Sequence, residues 1–209
     1  RDGRAINDDL EALLDALGET GPIVLVGHSM GGLMVRLFVL ERTRPVAGLV
    51  FVDAVTPDVL SLPGGMRAVR TFGVLLQAVS HGAKLGLMVP VSFVTGNLIG
   101  LPRAAAVEKQ HIHASAPHAR GAAAEVAAWP ATSTLAGAAE LPADLPVAVV
   151  TAGPPAARGP IKVMQETAAK RARHGFIEHV PGSTHANVLG PRFADAILRG
   201  VDHVLAAPT

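Results

Sequence analysis

The segment Gly27-His28-Ser29-Met30-Gly31-Gly32 sets a serine between glycines in the pattern G-x-S-x-G. A serine in that pattern does chemistry where a strand turns sharply into a helix. The strained turn lifts Oγ over the sheet edge, and the helix N-terminus aims free N–H groups at the reacting centre. Gly27 and Gly31 are expected to leave room for crowded backbones, Gly32 to let the helix pack close to neighbouring strands, and the Met30 N–H to donate to an oxyanion. A serine hydroxyl is a poor nucleophile near neutral pH and needs a base. The chain has nine histidines. His185, in Pro181-Gly182-Ser183-Thr184-His185-Ala186-Asn187, lies in a predicted loop between the last strand and the last helix. His28 is expected to pack beside the turn. His111, His113 and His118 do not carry the spacing that puts two imidazoles on one helix face, so no metal site is expected there.

These side chains need elements to position them. Ile6, Leu10, Leu13, Leu14 and Leu17 recur at helical spacing, which predicts a helix over 6–17 that Gly18 and Gly21-Pro22 end. Ile23-Val24-Leu25-Val26 reads as a buried parallel strand, residues 33–40 as a helix, and 46–52 as a second strand ending at Asp53. That is a βαβ unit. Between 57 and 140 the pattern turns helical, over 65–80, 82–88, 103–115 and 117–128, with no strand between. Strands are predicted again at 147–151 and 176–180, and helices at 161–174 and 193–205. The chain therefore divides into a core segment 1–56, a helical insertion 57–140 and a second core segment 141–209. Residues 85–101 carry no charge, but Gly86, Pro90, Gly96 and Asn97 interrupt them. They read as apolar helices over a core or pocket rather than as a membrane span.

The serine turn, with Leu33-Met34-Val35-Arg36 and Val46-Ala47-Gly48-Leu49-Val50-Phe51-Val52-Asp53, resembles the central part of the α/β-hydrolase fold. The likeness extends to 141–153 and 182–205. It implies an α/β fold in which the four strands are the last four of an eight-stranded parallel sheet and 57–140 is the lid. It also implies that His185 is the base of Ser29. Most members place the third, acidic group after the seventh strand, here 147–151. Residues 152–159 contain no Asp or Glu. Some members, such as haloalkane dehalogenases and pancreatic-type lipases, place it after the sixth strand, where Asp53 stands 24 residues beyond Ser29. Asp53 is therefore the expected triad acid, ahead of Glu178, Asp58 and Asp144. The family's nucleophile usually follows four strands and a second oxyanion donor. The serine at residue 29 thus leads us to expect a fragment of a larger hydrolase, or an oligomer or partner covering the apolar edge of strand 23–26.

Composition narrows the function. Eighteen basic and 17 acidic residues leave a net charge of +1, which argues against a nucleic-acid partner. With 49% apolar and 17% charged residues the chain is globular. It has no cysteine, which excludes thiol nucleophiles, disulfides and Cys-ligated metals. Arginine far exceeds lysine, a bias of GC-rich, bacterial genomes. No signal-peptide pattern follows Arg1, which favours the cytoplasm, although an upstream start would leave the compartment open. The expected activity is cofactor-free hydrolysis of a small, lipophilic carboxylic ester. Phe72, Leu75, Leu76, Leu85, Leu87, Met88, Phe93 and Leu98 are expected either to line its pocket or to form the lid's own core. The alternatives are a non-catalytic, degenerate hydrolase fold or inactive fragment, and another serine-triad reaction such as peroxide-dependent halogenation or C–C hydrolysis.

Overall fold

Strands buried on both faces read as unbroken β-branched runs, and strands separated by helices pair in parallel. Val46–Val52 and Val147–Ala152 are such runs. The computed structural model describes residues 1–95, 97–156 and 159–208, without the side chains of 93–95. In it β1 (Ile23–His28), β2 (Val46–Val52), β3 (Val147–Ala152) and β4 (Gly175–Val180) form one parallel sheet in the order β1-β2-β3-β4. The register pairs His28 with Val52, Val52 with Val150, and Ala152 with Val180, so the C-terminal strand ends share one edge.

Helices cover both faces. α1 (Gly3–Ala16), α2 (Gly31–Glu41) and α7 (Pro160–Arg171) lie over one core, which contains Leu25, Phe38, Leu49, Phe51 and Val149. α8 (Ala194–Ala206) covers the other, with Val50, Val52, Val150 and Val204. α8 comes so close that a Cβ on Gly48 of β2 would lie 2.5 Å from Val204 Cβ. The first helix begins earlier than the apolar spacing predicts, because the Asp2 carboxylate caps it, accepting the Ala5 N–H at 3.0 Å.

Between β2 and β3 run a short 3-10 turn, Pro57–Ser61, and four helices: α3 (Gly65–Lys84), α4 (Met88–Thr95), α5 (Arg103–Ala114) and α6 (Ala116–Ala136). Two details differ from the sequence expectation. Residues 82–88 are not a helix of their own: α3 continues to Lys84, and Gly86, at φ +74°, turns the chain into α4. α6 runs on through Pro130 to Ala136. Proline removes one helical hydrogen bond, but burial of Thr132, Ser133 and Ala136 beyond it holds the helix. The apolar residues of the insertion also lie elsewhere than expected. α3 buries Val69 and Ser80, and Gly73 approaches Val126 of α6. Phe72 and Leu75 fall off that stripe and are exposed, as are Leu85, Leu87 and Leu98. Leu76 and Met88 are half-buried. The Phe93 side chain and Gly96 lie outside the described residues. Among the described residues no helix is long and apolar enough to cross a membrane. β1 pairs only with β2 among them, and Val26 on this edge strand is exposed.

The turn from β1 into α2 is crowded on one side only. A Cβ on Gly27 would meet the Gly31 carbonyl oxygen at 2.7 Å and Val35 Cγ2 at 2.8 Å, and a Cβ on Gly32 would meet Ala54 Cβ at 2.5 Å. Gly31 departs from expectation. A Cβ there would meet nothing within 4 Å, because the close approach is to its carbonyl and not to its Cα. Gly32→Ala should therefore destabilise the protein by about 1–3 kcal/mol through overpacking. Gly31→Ala should be neutral or stabilise by up to about 1 kcal/mol, through lost unfolded-state entropy. Urea unfolding of the two variants reads the difference, and equal midpoints would contradict it.

Candidate active site

Two strand ends carry the site. Ser29 directly follows β1 and Asp53 directly follows β2, and these are the non-glycine residues with positive φ among those described, at +54° and +41°. A left-handed backbone costs an L-residue roughly 1–2 kcal/mol. Here the hydrogen bonds around it impose it. The Ser29 N–H donates to Val52 O at 3.3 Å, the Val55 N–H to Ser29 O at 2.8 Å, and the Asp53 N–H to Val150 O at 2.7 Å. Both side chains are thereby lifted off the sheet edge on the same side.

His185 meets them from the loop after β4. That loop turns at Gly182, φ +78°, and is tied by the Ser183 hydroxyl donating to Val180 O at 2.8 Å and the Thr184 N–H donating to Asn187 Oδ1 at 2.6 Å. His185 Nε2 lies 3.0 Å from Ser29 Oγ, and its Nδ1 lies 2.6 Å from Asp53 Oδ2. The structure thus brings Ser29, His185 and Asp53 into one hydrogen-bonded row across 156 residues of chain. Met30 precedes α2, and its N–H has no backbone or side-chain partner among the described residues. Glu178, by contrast, is paired with Arg199, and Asp144 with Arg173.

Two further residues belong to this row that the sequence did not single out for it. Gln165 on α7 is buried, and its side-chain amide donates to Asp53 Oδ1 at 3.3 Å and to Ala54 O at 3.0 Å. The Ala152 N–H reaches the same Oδ1 at 3.2 Å. Each carboxylate oxygen of Asp53 is therefore held: one by His185, the other by Gln165 and Ala152. His28 does more than pack beside the turn. Its Nε2–H donates to the His185 carbonyl at 2.9 Å, and the two rings lie 4.6 Å apart. No signal in the sequence marks the Gln165 contact, which spans 112 residues.

The charges follow from these contacts. Burial pushes the Asp53 carboxyl up, but the His185 hydrogen bond, the Ala152 N–H, the imidazole charge and Gln165 outweigh it and hold the group below its ordinary value. The Asp53 hydrogen bond raises His185 above the ordinary imidazole value, with burial opposing and the carboxylate charge adding. Burial lowers His28, which favours its neutral form, against the raising effect of its bond to the His185 carbonyl.

Two clefts meet at Ser29. One, about 490 Å³, is lined by Asp53, Val55, Val59, Trp129, Ile161 and His185, among others. The second, about 460 Å³, lies on the Met30 and Gly31 side with Arg1, Asp9 and Glu125 on its walls. The exposed residues Phe72, Leu75, Leu85, Leu87 and Leu98 of the insertion line neither. Among the described residues no group of three or more His, Asp or Glu is placed to hold a metal ion.

Residues 2–196 match the model of the alpha/beta hydrolase family. The chain belongs to that family. Among solved structures it is similar to an esterase of Thermogutta terrifontis, at 23% identity over 99% of this chain and 74% of that one, with a TM-score of 0.62. It is likewise similar to the haloalkane dehalogenase DbeA of Bradyrhizobium elkani, at 20% identity over 98% and 74%, with a TM-score of 0.67. At these identities what is shared is the fold. A 51-residue stretch is 43% identical to the probable transporter efuK of Hormonema carpetanum, a match over 23% of this chain and 7% of that protein.

The direction of the His185 shift is open to measurement. Its imidazolium is stabilised by Asp53, so in an NMR pH titration His185 should titrate above the ordinary value of about 6.5. Asp53→Asn removes the carboxylate and should bring the midpoint down, leaving burial to lower it further. An unchanged midpoint would mean that the 2.6 Å contact is not made in solution.

Proposed function

We propose that the chain is a serine hydrolase of carboxylic esters, with Ser29 as nucleophile, His185 as general base and acid, and Asp53 orienting and charging the imidazole. The observation that carries this reading is the unbroken row of hydrogen bonds, Ser29 Oγ to His185 Nε2 and His185 Nδ1 to Asp53 Oδ2. Asp53 fixes the tautomer with the proton on Nδ1, so Nε2 is free to accept the serine proton. Ser29 Oγ then adds to the ester carbonyl. The carbonyl electron pair moves onto oxygen, where the Met30 N–H and the N-terminus of α2 stabilise it. The tetrahedral intermediate collapses, His185 gives its proton to the leaving alkoxide, and an acyl-serine remains. A water molecule, losing its proton to His185, repeats the sequence and frees the acid.

The nucleophile separates this reading from the other activities known on the fold. Displacing a halide or opening an epoxide on Ser29 would leave an alkyl ether, which water does not cleave. An acyl ester on the same oxygen turns over. The chemistry of a dehalogenase neighbour is therefore not carried to this chain. His185 is half-exposed, so an ester reaches it from solvent, and the steps above require no metal or organic group.

A fluorophosphonate probe should label the protein at Ser29, and Ser29→Ala should abolish both labelling and hydrolysis of p-nitrophenyl esters. Asp53→Asn should keep the fold and lose about 10⁴ in kcat, as the corresponding change does in a serine protease triad. Gln165→Leu should cost up to about 100-fold, the scale of a misplaced reacting group. Near-normal turnover in folded Ser29→Ala would overturn the mechanism.

A further inference from the structure

The two clefts at Ser29 are chemically unlike, and the reaction assigns each a part of the substrate. This step rests on the triad reading above. An addition intermediate on Ser29 Oγ points its oxyanion at the Met30 N–H and its leaving oxygen at His185 Nε2, because that nitrogen must deliver the proton. The leaving group then lies in the cleft that His185 itself lines, with Val55, Val59, Trp129 and Ile161. The cleft that His185 does not line, with Arg1, Asp9 and Glu125, lies on the oxyanion side.

The polar side-chain groups on the leaving-group side are engaged or shielded. Lys162 is buried and turns its ammonium to the carbonyls of Gly153 and Pro154, at 3.4 and 3.0 Å. The Gln165 amide is held by Asp53 and Ala54 O. The indole N–H of Trp129 has no hydrogen-bond partner among the described residues but is buried, so the cleft meets the carbon surface of that ring. Besides the triad, what remains among the described residues to contact a ligand is hydrocarbon, which opposes a charged alcohol. A volume of about 490 Å³ falls within the range of small-molecule sites, about 300–1,000 Å³.

We infer that this cleft is the alcohol subsite, and that the enzyme selects esters of neutral, apolar alcohols through Val55, Val59, Trp129 and Ile161. Selectivity for hydrocarbon length therefore resides in the alcohol and not in the acid.

Two matched series test this: acetates of methanol, butanol, hexanol and benzyl alcohol, and methyl esters of acetic, butyric and hexanoic acid. In the acetate series kcat/KM should climb by up to about fourfold per buried methylene, while the methyl-ester series stays flat. Ile161→Asp puts a charge in the cleft at the first turn of α7, where an acidic residue suits the helix dipole. It should reduce the hexyl-to-methyl acetate ratio at least tenfold. Trp129 is the only tryptophan of a chain without tyrosine, so its emission reports the cleft directly: hexanol should shift it in Ser29→Ala, and hexanoate should not. A protein that labels at Ser29 but climbs with acid length, or shows the same ratio in Ile161→Asp, overturns the subsite and leaves the triad standing. A protein that neither labels nor cleaves any ester of either series overturns the triad reading, and the subsite with it.

Discussion

The site depends on the register of a parallel sheet. Because β1 and β2 end level, with His28 beside Val52, and β3 runs two residues past the Val52–Val150 pair, the residue after each of the first two strands donates its N–H sideways to the neighbouring strand. Ser29 donates to Val52 O and Asp53 to Val150 O. These bonds close each strand just as the chain bends away from the sheet, and both residues are forced to positive φ. The strain is small against the burial of Val50, Val52, Val147 and Val150, none more than 1% exposed. The core thus sets the geometry of two polar side chains that contribute little to it. A slip of one residue between β1 and β2 would turn Leu25 of β1 off the core face it shares with Leu49 and Phe51, so the register that fixes the site is also the one the core favours.

α7 extends this control to the carboxylate. Glu166 is buried on α7, 3.4 Å from His179 of β4 and 2.5 Å from Lys170, and His179 in turn lies 2.7 Å from the Thr151 hydroxyl of β3. This polar cluster pins the helix to the two strands beneath it. Gln165, one residue before Glu166, is consequently aimed at Asp53 and Ala54 O. The segment after β3 has no carboxylate in 152–159, yet it still acts on the row through the Ala152 N–H. An acid carried on β2 is held by the elements that follow β3.

How much of this was legible depends on whether a contact is local. The β-branched runs, the G-x-S-x-G turn and the loop around His185 are local patterns, and they gave the strands, the elbow and the loop within a few residues. Asp53 was legible by position, since it ends a buried strand while 152–159 offers no alternative. Gln165 was not, because an internal helical glutamine looks like any solvated one until the fold brings residue 165 to residue 53. The role of His28 was hidden for the same reason: its partner is a backbone carbonyl 157 residues away. The helical insertion was read least well. Periodicity shows that a helix has an apolar side but not what that side meets. α3 buries Val69 and Ser80 and meets Val126 of α6 at Gly73, and it leaves Phe72 and Leu75 exposed.

The helical insertion therefore has two parts of unequal consequence. α6 is fastened to the core: Trp129 packs against Leu33 and Leu37, Arg36 donates to the carbonyls of Ala136 and Ala139 at 2.6 and 2.8 Å, and the Gly3 N–H donates to Thr132 at 3.0 Å. Of the four helices of the insertion it alone, among the described residues, lends a residue, Trp129, to the cleft beside His185. α3 packs on α6 from outside, and α4 and α5 follow it. Through Gly65, which lies against Val59 O and Leu60, α3 also touches the 3-10 turn that carries Val59 of the cleft wall. A wall fixed in this way loses little freedom when a ligand arrives, so the cleft is shaped before any substrate enters by Trp129 of α6, by Ile161, Lys162 and Gln165 of α7, and by the segment that follows β2.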